Sequence, residues 1–133
     1  MIDTTDIDRW LERYQAAWHT GDRQEIASLF TDDVRYFTAP HRPPLEGIDA
    51  VVDFWLGLQE SSIPWSFEPE VMAREGDLYV VRAVTRYPEG TLGAQGPEEY
   101  RNLWLVTLSS DGRASEFIEY FVLVEQDGSV ETG

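Results

Sequence analysis

The sequence predicts an α+β fold, an amino-terminal helical half followed by an antiparallel sheet, in the order α-α-β-α-β-β-β-β. Three observations carry this. Apolar residues repeat at spacings of three and four up to about residue 59, switch to alternation from Trp65 onward, and are then cut by turn signals into segments of strand length. The 133 residues suffice for one domain over 1–133 with its core at about 6–126. A chain of that size buries roughly 65–70% of its unfolded surface.

Thr5 followed by Asp8 is a weak capping signal, and Ile7, Trp10, Leu11, Tyr14, Ala17 and Trp18 predict a first helix from Asp6 to His19. Gly21 supplies its left-handed stop, and Asp22 restarts a short helix with Ile26, Leu29 and Phe30 on one side. Asp32 and Asp33 read as a turn, Val34 to Thr38 as a short strand, and Ala39 to Pro44 as a loop whose three prolines forbid regular structure. Gly47 opens a third helix, Ile48 to about Gln59, apolar over most of its circumference through Val51, Val52, Phe54, Trp55 and Leu58. Four strands follow at about 66–74, 78–87, 99–108 and 114–125. Their separators are Glu75-Gly76-Asp77, the loop from Pro88 to Pro97, and Ser109-Ser110-Asp111-Gly112. Glycines 90, 93 and 96 have no helix after them to bind phosphate and read as a mobile loop, and 127–133 as a loose tail.

On strand 99–108, Tyr100, Asn102, Trp104 and Val106 share one face and Leu103 and Leu105 the other, so both faces need cover. Helices cover one. The expected cover for the outer face is a second copy of the chain, giving a homodimer.

Acidic residues outnumber basic ones 25 to 10, for a formal charge of −15. Every one of the ten cations is arginine. Nucleic acid and anionic membranes are therefore poor partners, since no basic stripe exists to neutralise phosphate. With no cysteine, thiolate zinc sites and cysteine nucleophiles drop out. The chain has no apolar run of the ~20 residues that a membrane helix needs. It also starts on an acidic stretch, so a cytoplasmic protein is expected. His19 and His41 lie without companions at ligand spacing, and neither a metal nor another cofactor is expected.

Specific residues now carry a resemblance. Arg13-Tyr14-x-Ala16-Ala17-Trp18-x-x-Gly21-Asp22, Ile26-x-x-Leu29-Phe30-x-Asp32-Asp33-Val34 and Gly47-Ile48-x-Ala50 with Phe54-Trp55 resemble the nuclear transport factor 2-like superfamily, in its SnoaL-like and ketosteroid isomerase-like branch. Tyr100-x-Asn102-x-Trp104, Asp111-Gly112-Arg113 and Glu119-Tyr120-Phe121 are similar to its closing strands. The resemblance implies a curved sheet wrapped around the long first helix, a cone whose apolar interior takes a small molecule. It also implies that Tyr14 matches the helix tyrosine of the ketosteroid isomerases and that Asn102 falls at or near their oxyanion aspartate. Their base position falls on Thr38, which cannot act as a base at neutral pH.

The candidate catalytic residues are thus Tyr14 and Asn102 as oxyanion donors, Glu119 as acid or base, and Arg82 as its partner. The resemblance places Val80, Arg82 and Val84 on the cone side, with Phe117, Glu119 and Phe121 facing them, so a buried Arg82–Glu119 pair is expected. Trp18, Tyr36, Thr38, Phe54, Trp55, Trp104, Phe117 and Phe121 are expected to bind a small apolar molecule. Two functions stay open: a cofactor-independent lyase, isomerase or cyclase acting on an apolar carbonyl compound, and a non-catalytic ligand- or partner-binding module.

Overall fold

Helix α1, Thr5–Thr20, starts where the Thr4 hydroxyl donates to Asp8 Oδ2 at 2.8 Å, and Asp6 and Asp8 in the first turn suit the positive end of the helix dipole. It stops at Gly21, whose φ of 64° only glycine adopts cheaply, with the Gly21 N–H bonded to the Ala17 carbonyl at 3.0 Å. Asp22 then caps α2, Arg23–Ala27, by accepting from the Gln24 and Glu25 amides at 2.8 and 3.2 Å. Gly21 and Asp22 act as read from the sequence, whereas Thr5 is the first helical residue and the N-cap is Thr4, whose side chain caps no backbone amide. The structure is a computed structural model and describes residues 3–59, 66–87 and 98–124.

Strand β1 spans Phe30–Phe37, so Asp32 and Asp33 lie within a strand and not in a turn. Two adjacent aspartates have turn chemistry, but here pairing with the last strand decides. A register shift between Phe30 and Arg35 lets both carboxylates stay exposed while Phe30 and Val34 are buried. The two-residue strand β2, Leu45–Glu46, follows the proline loop and pairs antiparallel with β1 at Arg35 and Tyr36. It carries no periodicity that a sequence reading could detect. Helix α3 is Ile48–Gln59, and β3 to β6 are Ser66–Glu75, Leu78–Tyr87, Glu98–Leu108 and Ala114–Val124. The turn into β6 is held by Asp111, which accepts from the Ser109 hydroxyl and from the Arg113 amide and guanidinium; these bonds bring its carboxyl down to about 2.

The six strands form one curved, unclosed sheet in the order β2-β1-β6-β5-β4-β3, with β1 and β6 parallel and every other pair antiparallel. Helix α1 packs on the inner face. Trp10 is fully buried there, in ring contact with Phe30, Trp104 and Phe117, and its Nε1 donates to the Leu29 carbonyl at 2.8 Å. That carbonyl also accepts from the Ala114 amide at 2.8 Å, tying helix, β1 and β6 at one point. Truncating Trp10 to alanine would cost ~3–5 kcal/mol.

The register of β4 is one residue from the expected one. Val81 stands opposite Trp104 and Ala83 opposite Asn102, so Tyr79, Val81, Ala83 and Thr85 face inward and Val80, Arg82 and Val84 outward. A one-residue slip exchanges the faces of a whole strand, and valines on both faces of β4 leave its alternation ambiguous. Arg82 accordingly pairs with Glu70 on β3 at 2.7 Å, both side chains exposed, and does not meet Glu119. The expectations for Trp65, the Pro88–Pro97 loop with its glycines, and the 127–133 tail lie outside the described residues.

Candidate functional site

A cavity of about 390 Å³ opens on the inner face of the sheet. Helix α1 contributes Tyr14 and Trp18, β1 and the loop after it Tyr36, Thr38, Ala39, His41 and Arg42, and α3 Phe54. The sheet contributes Phe67, Thr85, Tyr100, Asn102, Trp104, Glu119 and Phe121. The aromatic wall is continuous. Tyr14 lies 4.8 Å from Trp104 and 5.0 Å from Trp55 between ring centroids, and Phe67 stacks on Trp104 at 5.0 Å. An aromatic wall of this kind suits an apolar molecule better than a polar one.

The carboxyl of Glu119 is set into this wall. Three neighbouring strands each supply one member of a chain of hydrogen bonds. The Thr85 hydroxyl on β4 donates to Asn102 Oδ1 on β5 at 2.8 Å, and Asn102 Nδ2 donates to Glu119 Oε2 on β6 at 2.5 Å. Trp104 Nε1 donates to the same Oε2 at 3.2 Å. Oε1 has no hydrogen bond to any described residue, and Glu119 lines the cavity. Burial pushes the Glu119 carboxyl above the ordinary glutamate range, against the opposing pull of the Trp104 and Asn102 donors. With both protein donors on Oε2, the proton of the acid form sits on Oε1. In its acid form this carboxyl can donate a proton to a molecule in the cavity, and in its charged form it can accept one.

Of the expected residues, Tyr14, Trp18, Tyr36, Thr38, Phe54, Asn102, Trp104, Glu119 and Phe121 come together around the cavity. Trp55 and Phe117 are fully buried one layer behind it: Trp55 donates from Nε1 to the Tyr36 hydroxyl at 3.3 Å, and Phe117 stacks under Tyr36 at 4.6 Å. Asn102 bridges Thr85 and Glu119 where an oxyanion donor was expected. Arg82 is absent from the cavity. Sequence reasoning missed Phe67, Thr85, Tyr100, His41 and Arg42. For Thr85 a signal existed: Arg82 and Arg86 share a face of β4, and on β3 Glu70 stands opposite Arg82 while Glu68 reaches Arg86 diagonally, which marks that face as the outer one.

Residues 11–117 match the SnoaL-like domain, most of the chain. The chain belongs to the SnoaL-like family. Solved structures of this fold resemble it closely in shape and weakly in sequence. A ketosteroid isomerase-like protein from Erwinia carotovora atroseptica superposes with a TM-score of 0.65 at 22% identity, over 89% of this chain and 95% of that one. An epoxide hydrolase/cyclase-like enzyme, SalBIII, of pyran ring formation in the polyether salinomycin gives 0.71 at 15% identity, over 92% and 95%. An NTF2-like protein from Burkholderia xenovorans gives 0.68 at 16%, over 92% and 93%. No protein with a curated description matches the sequence. Among the described residues, no helix is long and apolar enough to cross a membrane, and no three His, Asp or Glu side chains gather as metal ligands.

Proposed function

We propose that this SnoaL-like protein is a cofactor-independent isomerase, lyase or cyclase acting on a small apolar carbonyl compound or a comparable oxygen electrophile. The observation that carries the reading is Glu119: it lines an aromatic cavity, both protein donors lie on Oε2, and burial pushes its carboxyl above the ordinary glutamate range. Glu119 gives its proton from Oε1 to the substrate oxygen as charge develops there, and takes a proton back to complete the cycle. A single carboxyl that lends and recovers one proton needs no cofactor. Thr85 and Asn102 position it, because an amide held by a hydroxyl on one side can offer only its N–H to Glu119 on the other. Tyr14 and Trp104 supply the apolar face against which the substrate lies.

Thr38, at the position where the resembling isomerases carry their base, favours a second reading, a module that binds its ligand without turnover. One pair of proteins separates the two. In Glu119→Gln the amide oxygen accepts from Asn102 and Trp104 while the amide nitrogen takes the place of the O–H, so shape and affinity persist and proton transfer does not. Over a panel of cyclic enones, ketones and epoxides, followed by mass spectrometry beside tryptophan-fluorescence binding, the enzyme reading expects turnover by the wild type and none by E119Q. The binding reading expects equal affinity and no turnover by either.

The reading includes a homodimer through the outer sheet face, where Leu103, Tyr120 and Val122 are 39, 42 and 64% exposed. Apolar side chains so disposed are what a second copy would cover.

A further inference from the structure

Arginines in this chain are scarce and most are spoken for. Arg23, Arg35, Arg82, Arg86, Arg101 and Arg113 each hold a carboxylate. Arg42 has no carboxylate partner among the described residues, and it lines the cavity. Its place in the chain is not incidental. It sits between Pro40 and the pair Pro43-Pro44, with its amide bonded to the Ala39 carbonyl at 3.3 Å, so proline rings and a turn hydrogen bond stiffen the loop that presents it. A cation on a stiff loop loses little freedom on binding. The field around it points the same way. At a net charge of −15 the surface repels anions, and an anionic ligand reaches this protein only where a cation is local and unspent. Among the described residues Arg42 is the only arginine on the cavity lining, and burial pushes the carboxyl of Glu119 on the same lining above the ordinary glutamate range, which weakens its opposition to a bound anion.

We propose that the ligand of this cavity is an organic anion, an apolar body carrying one acidic group, with the acidic group held by Arg42 and the body lying against the aromatic wall. This deepens the functional reading above and rests on it for the cavity being a binding site. A planar guanidinium meets a carboxylate or sulfonate through two parallel N–H bonds, so Arg42 would set which end of the ligand enters.

The test uses two fluorescent probes with one ring system, anilinonaphthalene sulfonate and the neutral phenylnaphthylamine that lacks the sulfonate. Both are titrated while the emission of the protein's tryptophans is followed, since Trp18 and Trp104 line the cavity. Arg42→Gln should weaken the sulfonate about five- to tenfold and the neutral probe less than about twofold, and Arg42→Lys should recover part of the loss. The sulfonate's advantage should also shrink as salt rises through roughly a few tenths molar. Arg82→Gln is the control, because Arg82 borders a groove on the outer sheet face that an apolar dye could also enter. If R42Q leaves the sulfonate unchanged while the neutral probe still quenches, the role of Arg42 is wrong and the cavity stands. If R82Q and not R42Q removes the preference, the anion sits on the outer face and the proposal is overturned. If neither probe quenches the tryptophans, the cavity reading fails and takes this inference with it.

Discussion

Replacing Glu119 by glutamine should stabilise the protein at neutral pH and leave it unchanged in acid. The expectation follows from opposing effects at one carboxyl. Two donors on Oε2 favour the charged form, burial among Trp104, Phe67 and Tyr14 disfavours it, and burial is the larger. A carboxyl whose folded pKa lies above its unfolded value contributes stability that is fully present below the unfolded pKa, ordinarily 4.5 for glutamate, and loses it as pH rises through the folded one. The native state then binds more protons than the unfolded state across that window, so the slope with pH is negative. Each unit of displacement is worth ~1.4 kcal/mol. Glutamine keeps both hydrogen bonds and has no proton to lose. The gain of E119Q over wild type should therefore start near zero below the unfolded pKa, grow as pH rises between the unfolded and folded values by at most ~1.4 kcal/mol per pH unit, and level off above the folded one. Thermal unfolding followed by far-ultraviolet circular dichroism from pH about 4 to 8 measures it, every other carboxylate being common to both proteins. Glu12→Gln, on the exposed side of α1, makes the same change in net charge and serves as the control for it. An E119Q variant destabilised by a constant ~1–3 kcal/mol at all pH would refute the reasoning, since it would mean that the hydrogen-bonded anion is the native form.

Asn102→Leu should cost ~1–3 kcal/mol in denaturant unfolding, because it leaves the Thr85 hydroxyl without its acceptor and strips one donor from Glu119. The same change should move the Glu119 titration further up. Arg82→Gln breaks only an exposed pair with Glu70 and should cost no more than ~0.5 kcal/mol by the same measurement; a loss above ~2 kcal/mol would point to a buried partner instead. Leu103→Glu places a charge in the outer face and should turn a wild-type dimer into a monomer in sedimentation velocity, whereas a wild type already monomeric at micromolar concentration removes the dimer from the proposal.

Much of the fold was legible because its signals are local. Gly21 and Asp22 act through the backbone groups next to them, and the stripe from Ile7 to Trp18 needs no partner to be recognised. Asp32-Asp33 and Leu45-Glu46 were illegible for the opposite reason: their strand character comes from pairing with β6 and with β1, which is not written in either segment. The site divides likewise. In β6, Phe117, Glu119 and Phe121 stand out as one face by alternation, and the family resemblance turned that face inward, where Glu119 lines the cavity. In β4 the run Val80-Val81-Arg82-Ala83-Val84 is apolar on both sides, because the outer face of the sheet is itself largely apolar, and alternation gives no answer. The opposed charges of Glu68 and Glu70 on the neighbouring strand do give one, though only once the β3–β4 hairpin is paired residue by residue.

The measurement that bears most directly on Glu119 as the proton-transfer group is its own titration, followed by carbon NMR of the side-chain carboxyls and assigned by the resonance that E119Q removes. The expected result is a glutamate whose midpoint lies above those of the exposed glutamates and which shifts again when an apolar ligand fills the cavity. A Glu119 that titrates together with the surface carboxylates, indifferent to the ligand, would contradict it.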